Sequence, residues 1–346
     1  MAMPFDEAAL VEEHTPFLVL YPEIPEGSIR ERNPNYPHES PLRYDYHPRD
    51  IRIVLEHSGL HYRFRPWKGR TYSWEKMLDQ MERAHYQRNL NLLPGVALDD
   101  REAFWKAYAA ISKDKEHYQR ACYARVVMGS GINSDRILLQ YWYAYFYNDF
   151  WNTHEMDWET VMIIFKLANN GPQPTVCAYS AHFGGHWLRW SEVERANAEL
   201  KPEVGGTHPI VYVANGSHAN YFYGPAQYKT APELVTLAAM YLKKNKRGLM
   251  DYTTSFEEGG RYLVEAKLIP PADGDRWTGD WKWLNQQGRW GSPGKWDLEF
   301  GDSGPYGPPQ AGDRWDYPFR WIDTHCARAP SRVASLLPTR LEPEEA

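Results

Sequence analysis

The stretch "YNDFWNTHEMDWETVMIIF", residues 147–165, puts His154, Glu155, Asp157 and Glu159 within six positions and runs straight into Val161-Met162-Ile163-Ile164-Phe165. An apolar, β-branched run of that kind belongs in a buried strand. Charges at its mouth are costly to desolvate unless they are paired, hydrated or bound to an ion. Side chains alternate along a strand, so Asp157 and Glu159 share a face, about 6.6 Å apart along the chain. From there two carboxylates can lean around one ion at about 2.0–2.5 Å. His154, at the turn into the strand, can fold back over the same point. His154, Asp157 and Glu159 are therefore the candidate ligands of a divalent cation, and Mg²⁺, Ca²⁺, Mn²⁺ and Zn²⁺ all suit that donor set. The alternative is a solvated strand end that binds nothing.

Similar neighbourhoods recur downstream. "AYSAHFGGHWLRW" places His182 at a strand end and His186 after Gly184-Gly185, and "HPIVYVANGSHANYF" places His218 after a buried-looking strand and the turn Asn215-Gly216. A lone histidine at any of these is commonly a hydrogen-bonded structural residue; three at strand ends point to one end of a β structure that carries a site. Glu155, His182 and His218 are the candidate acid–base groups. His14 and His208 read as ordinary surface residues. Ser217 directly precedes His218, so on extended backbone the two face opposite ways and form no nucleophile–base pair. Asp157 and Glu159 fall within the about 5–9.5 Å range of glycosidase carboxyl pairs, although such pairs usually come from different elements. A two-His-one-carboxylate iron site lacks its usual His-x-Asp spacing. There is no Gly-x-Ser-x-Gly, no phosphate-cradling glycine loop and no dinucleotide fingerprint.

The elements that must position these residues are mainly strands. Residues 15–21 read as a first strand, followed by "YHPRDIRIVLEH" at 46–57. Further strands are expected at 136–147, 158–166, 175–182, 209–214 and 261–268, divided by Gly, Pro and Asn. From about 70 to 127 the pattern turns helical: Trp74, Met77, Leu78 and Met81 recur at helical spacing, as do Phe104, Tyr108 and Ile111 after Asp99-Asp100. A capping box at Ser191–Glu194 opens one later helix, and Thr230–Glu233 opens another that stops at Gly248. Residues 271–321 are rich in Gly, Pro and Trp and have no period, which predicts an ordered, packed loop. The sum is a mainly β chain with added helices, an antiparallel β-sandwich in one domain over 1–346 with a helical insertion at about 70–127.

Composition narrows the partners. A formal charge of −6 over 346 residues argues against nucleic acid or an anionic membrane as partner. No apolar stretch approaches the ~20 residues that span a bilayer, and the acidic N-terminus lacks the apolar core of a secretory signal. Three scattered cysteines indicate neither a disulfide framework nor a thiolate metal site, so a reducing cytoplasm is the expected location. With 15 Trp and 24 Tyr, aromatic faces are available to fill a core, stack sugars or enclose apolar ligands.

"THEMDWETVMI", "AYSAHFGGHWLRW", "GGTHPIVYVANGSHANYF" and the stretch from Gly288-Arg289-Trp290-Gly291 to Gly304-Pro305-Tyr306-Gly307-Pro308 resemble proteins related to vacuolar protein sorting-associated protein 62. "EEHTPFLVLYPE" and "DYHPRDIRIVLEH" resemble the start of that family, so the likeness covers most of the chain outside the helical segment. The central motif also resembles the Gly-His-Arg-His-Asp-Trp-Glu heptapeptide of the necrosis-and-ethylene-inducing-peptide-like cytolysins, which helps bind a divalent cation on a β-sandwich. Its first His falls on His154, its Asp on Asp157 and its Glu on Glu159, while Thr153 stands for its Gly and Met156 for its second His. Those cytolysins are secreted, disulfide-bonded and act on glycosylated sphingolipids, so the resemblance implies the ion site here and not the toxin activity. Together these readings lead to a metal-dependent enzyme of hydrolase type acting on an apolar or glycosidic small molecule. The alternatives are a non-catalytic module that binds a glycan or lipid head group, and a scaffold with a structural ion.

Overall fold

The computed structural model describes residues 5–23, 44–62, 71–82, 88–150, 152–182, 184–200, 207–229, 250–292 and 303–329. The organising pair is β5 (Arg136–Asn148) and β6 (His154–Ala168), antiparallel from Arg136↔Lys166 to Asn148↔His154. They sit in a seven-stranded mixed sheet. Its other antiparallel members are β4 (Ala121–Met128), β7 (Gly171–Ala181) and β8 (Gly184–Arg189). At its edges β14 (Glu265–Leu268) pairs parallel with β4, and β15 (Cys326–Arg328) pairs parallel with β8. A second sheet of four strands has the order β10 (Asn220–Tyr221), β9 (Ile210–Val213), β1 (Phe17–Leu20), β13 (Gly260–Leu263), with β1 and β9 parallel.

The large sheet is covered on both faces, which is why β5 reads as an apolar run interrupted only by Gln140 between Arg136 and Asn148. Tyr141, Tyr143, Tyr145, Val161 and Ile163 on one face share a core with Leu18, Val211 and Val213 of the four-stranded sheet and with Phe222 just after β10. Trp142, Ala144 and Trp158 on the other face meet Trp283, Trp290 and Trp315, together with Phe104 and Tyr108. Each such side chain fully buried contributes about 1.5–3 kcal/mol. The chain is thus mainly β with helices, as expected, but its sheets are mixed rather than antiparallel throughout.

The 70–127 segment is not helical throughout. It holds two helices, α3 (Trp74–Glu82) and α4 (Arg101–Ile111), the latter capped by Asp100, whose carboxylate accepts from Ala103 N at 3.0 Å. Between them β3 (Arg88–Leu92) pairs with β2 (Ser58–Tyr62), and after them β4 lies inside the main sheet. Within 46–57 the regular element is a helical turn, α2 (Arg52–Leu55). The strand expected at 261–268 is broken at buried Val264, so that β13 completes one sheet and β14 the other.

Helix α1 (Glu7–Glu13) precedes β1, and α5 (Trp190–Leu200) follows β8; the helix expected to open at Thr230 lies outside the described residues. His14 is buried, its ring edge-on to Phe165 at 4.9 Å, and is a core residue rather than a surface one. In the Gly/Pro/Trp-rich segment, Trp283 and Trp290 are buried and Trp290 N donates to Pro305 O at 2.7 Å. Two short helices, α6 (Asp313–Asp316) and α7 (Pro318–His325), close it. We call residues 288–292 and 303–316 the strap.

Candidate functional site

The site forms where the β5–β6 hairpin ends. Asp149 moors this end: its carboxylate accepts from Tyr44 N at 2.8 Å and from the Arg101 guanidinium, and its own N donates to Gly216 O at 2.9 Å. The last contact brings the turn after β9 against the hairpin and so delivers His218. His218 Nδ1 lies 3.0 Å from Asp157 Oδ2, and its ring stacks on Tyr145 with centroids 4.0 Å apart and planes at 11°. Its Nε2 is buried with no hydrogen-bond partner among the described residues.

Three non-glycine residues at this site take left-handed backbone: Met156 (φ 56°), His182 (φ 56°) and His218 (φ 58°). That conformation costs on the order of 1 kcal/mol or more per residue and concentrates where surrounding structure fixes it for a purpose. At Met156 it breaks the strict alternation of β6. Asp157 therefore meets His218, whereas Glu155, only two residues away, is bonded into a different neighbourhood. The Glu155 carboxylate accepts from Leu92 N at 2.7 Å, Ser292 N at 2.9 Å and Ser292 Oγ at 2.9 Å, tying β3 to the strap. Glu155 does not line the cleft described below.

The remaining predicted residues are placed as follows. His154 Nδ1 is 2.6 Å from Met156 O; a carbonyl only accepts, so Nδ1 carries the proton and Nε2 keeps its lone pair. Glu159 is buried and accepts from Ser180 Oγ. His182 Nε2 donates to Asp251 Oδ2 at 2.5 Å on β12 (Met250–Thr253), and the ring stacks on Phe150 at 5.3 Å. Asp251 also accepts from Ser217 Oγ at 2.5 Å and Tyr221 Oη at 2.7 Å. Ser217 and His218 thus serve different carboxylates. His186 stands mid-strand beside Tyr221, at 5.7 Å, away from the cleft. Two Asp–His pairs and Glu159 therefore meet beside His154.

Burial opposes every charge here, and the partners decide which charges survive. It disfavours ionised Asp157, but the His218 hydrogen bond and the fields of His154 and His218 hold that carboxyl below its usual range. Glu159 goes the other way: burial, then the charge on Asp157, raise it well above the usual carboxylate range. Burial lowers His154, against the pull of Asp157. Burial also pulls on His182, but Asp251 wins and raises it. Around Asp157, one carboxyl is thus ionised and its neighbour protonated at neutral pH.

These groups open into a cleft of about 590 Å³. Phe150, Trp142, Trp158, Trp321 and Tyr306 supply rings, and His154, Asp157, Glu159 and His182 supply polar atoms. The outer wall is the strap, from Ser303 to Arg314. Asp251 and Arg314 carry no motif that draws attention in the sequence, and Tyr306 stands in the quoted Gly304–Pro308 stretch without a role assigned to it; Asp251 could have been suspected as a lone carboxylate inside the strand-like "MDYTT".

The ion expected at these residues is a divalent cation. Carboxylates and imidazole nitrogens suit such an ion chemically. As arranged, however, no group of three or more His, Cys, Asp or Glu among the described residues could hold one. Glu159 is held by Ser180 and Asp157 by His218, so the set of His154, Asp157 and Glu159 does not fit the ion without rearrangement.

No protein-family model matches the chain, and no curated protein matches it. Among solved structures it is similar to NLPPya in complex with mannosamine, at 13% identity over 59% of this chain and 68% of that one, with a TM-score of 0.30. It is similar to the non-toxic HaNLP3 protein at 14% identity over 62% and 69%, TM-score 0.30. It is also similar to Necrosis and Ethylene inducing Protein 2 from the causal agent of cocoa's Witches Broom disease, at 12% identity over 94% of each chain, TM-score 0.36. These are proteins of the group whose heptapeptide residues 153–159 resemble, and the scores are too low to bear on the site. The resemblance to the family related to vacuolar protein sorting-associated protein 62 rests on the sequence motifs alone.

Proposed function

We propose that the chain is a binding protein whose cleft takes a polar ring compound of the sugar class. The supporting observation is the convergence of aromatic side chains (Trp158, Trp321, Tyr306) and hydrogen-bonding groups (His154, Asp157, Glu159) on one cleft. Sugars present an apolar face to stack and hydroxyls to bond, and such pockets combine the two. A ligand that binds only the folded chain raises its melting temperature with concentration. Simple hexoses and hexosamines are therefore expected to shift the melting curve. Tyr306, 45% exposed on the rim, can be removed without touching the core. Tyr306→Ala is expected to weaken binding by about 1 kcal/mol, or several-fold. No shift with any hexose, hexosamine or hexuronate would refute the reading.

A second reading, hydrolysis of a bound glycoside, is favoured by the split carboxyls: Asp157 ionised and Glu159 protonated beside it, with His218 bonded to Asp157. That is the division of labour acid–base chemistry on a glycoside needs. A bound ion is not part of this reading, because Asp157 and Glu159 share the cleft with His154 but are engaged by His218 and Ser180. It has its own test: melting curves of metal-stripped wild type and Asp157→Asn across added Mg²⁺, Ca²⁺, Mn²⁺ and Zn²⁺. Stabilisation of the wild type alone would mean that the side chains rearrange to take the ion; coincident curves would remove it.

A further inference from the structure

Most deep arginines among the described residues have a carboxylate or close protein acceptors. Arg49 and Arg120 pair with Glu23, and Arg101 pairs with Asp149. The Arg125 guanidinium donates to Trp315 O, and its Nε donates to Gln140 Oε1 at 2.8 Å. Arg314 differs. It lines the cleft half-buried, and among the described residues it has no carboxylate within 4.0 Å. Among the described residues its one acceptor is distant, Trp158 O at 3.5 Å from Nη1, and its buried Nε–H has no partner there. The nearby Glu159 feels its charge but is held protonated, so it does not neutralise it.

The position is nevertheless built. Buried Gln140 donates through Nε2 to Arg314 O at 2.7 Å, and Arg125 grips the next carbonyl, so two residues of the main sheet fix the backbone of α6. The Arg314 guanidinium then lies over two indoles, 5.7 Å from the Trp142 ring and 5.5 Å from the Trp321 ring. Cation–π contacts hold a guanidinium in place and leave its hydrogen-bonding edge unspent. A planar fork fixed in that way matches a carboxylate bidentately.

Resting on the sugar reading above, we infer that the ring compound taken by this cleft is anionic, a hexuronic acid whose carboxylate is received by Arg314. The ring would stack along the aromatic wall while its acid group pairs with the guanidinium. Arg314 is then the residue that separates acidic from neutral sugars.

The test is calorimetric titration of wild type, Arg314→Gln and Arg314→Lys with glucuronate, glucose and glucose 6-phosphate. A charge-assisted pair predicts that wild type prefers glucuronate to glucose by about tenfold or more. That ratio is expected to fall to about one in Arg314→Gln and to an intermediate value in Arg314→Lys, which keeps the charge but loses the fork. A preference for glucose 6-phosphate would overturn the carboxylate. Glucose and glucuronate binding equally, with the ratio unmoved in Arg314→Gln, would overturn the inference while leaving the sugar reading intact. Binding of none of the three would overturn both. Melting curves of the two variants separate loss of fold from loss of preference.

Discussion

Glu155 is buried away from the cleft, among groups that hold β3 against the strap. Three donors from β3 and the strap surround its carboxylate, yet burial outweighs them and pushes it up to about 7. Its affinity for a proton is thus higher in the folded chain than in the unfolded one. Between about pH 4.5 and 7 the folded state holds more protons, so stability falls as pH rises through that window and levels off above it. The full effect is on the order of 3 kcal/mol. Glutamine keeps the useful geometry: its oxygen can accept from Leu92 N and Ser292 N, and its amide can donate to Ser292 Oγ. Urea denaturation of Glu155→Gln from pH 4 to 8 is expected to show the flatter dependence; an unchanged slope would place the titrating group elsewhere. Asp157 and His218 were legible as neighbours because each ends a strand, and strand ends gather at one rim. The split between Glu155 and Asp157 was not legible, since it turns on one left-handed residue, Met156, whose side chain gives no sign of it.

At the scale of elements, the strap depends on a close approach between two glycines. A Cβ on Gly304 would sit 2.4 Å from Gly291 Cα, and one on Gly291 would sit 2.7 Å from Glu155 O. Neither neighbour is a flexible side chain, so the backbone itself must move. Gly304→Ala is expected to cost about 1–3 kcal/mol and to weaken whatever the cleft binds, read by thermal melting together with titration. Strands β5, β6 and β7 were legible because they are long, apolar and bounded by turn residues. β4 was absorbed into a helical reading: its burial on both faces hides the alternation that marks a strand, and α4 with its clear period lies just before it. The strand at 261–268 was seen as one because hydrophobic pattern does not record which sheet each half joins. The helices α6 and α7 were missed since Gly, Pro and Trp dominate their segment.

For the whole molecule, composition pointed to aromatic crowding without saying what it encloses. The rings turn out to do two jobs: those facing the four-stranded sheet fill a core, and those on the other face form a connected lattice that ends at the cleft. Trp158 stacks on Trp283 at 5.9 Å with planes 7° apart, and both meet Trp290 nearly edge-on, while Trp142 lies 6.4 Å from Trp158. Indoles that close, held at fixed angles, share their electronic excitations. The folded chain is therefore its own optical reporter. Coupled indoles give strong near-ultraviolet circular dichroism that depends on their mutual orientation, and Trp142 and Trp158 carry that signal to the cleft wall. An occupant resting on them should change the band shape at temperatures where the far-ultraviolet spectrum is still that of the folded chain. Light alone, with no label and no assumed reaction, can thus report whether a candidate ligand has reached the wall.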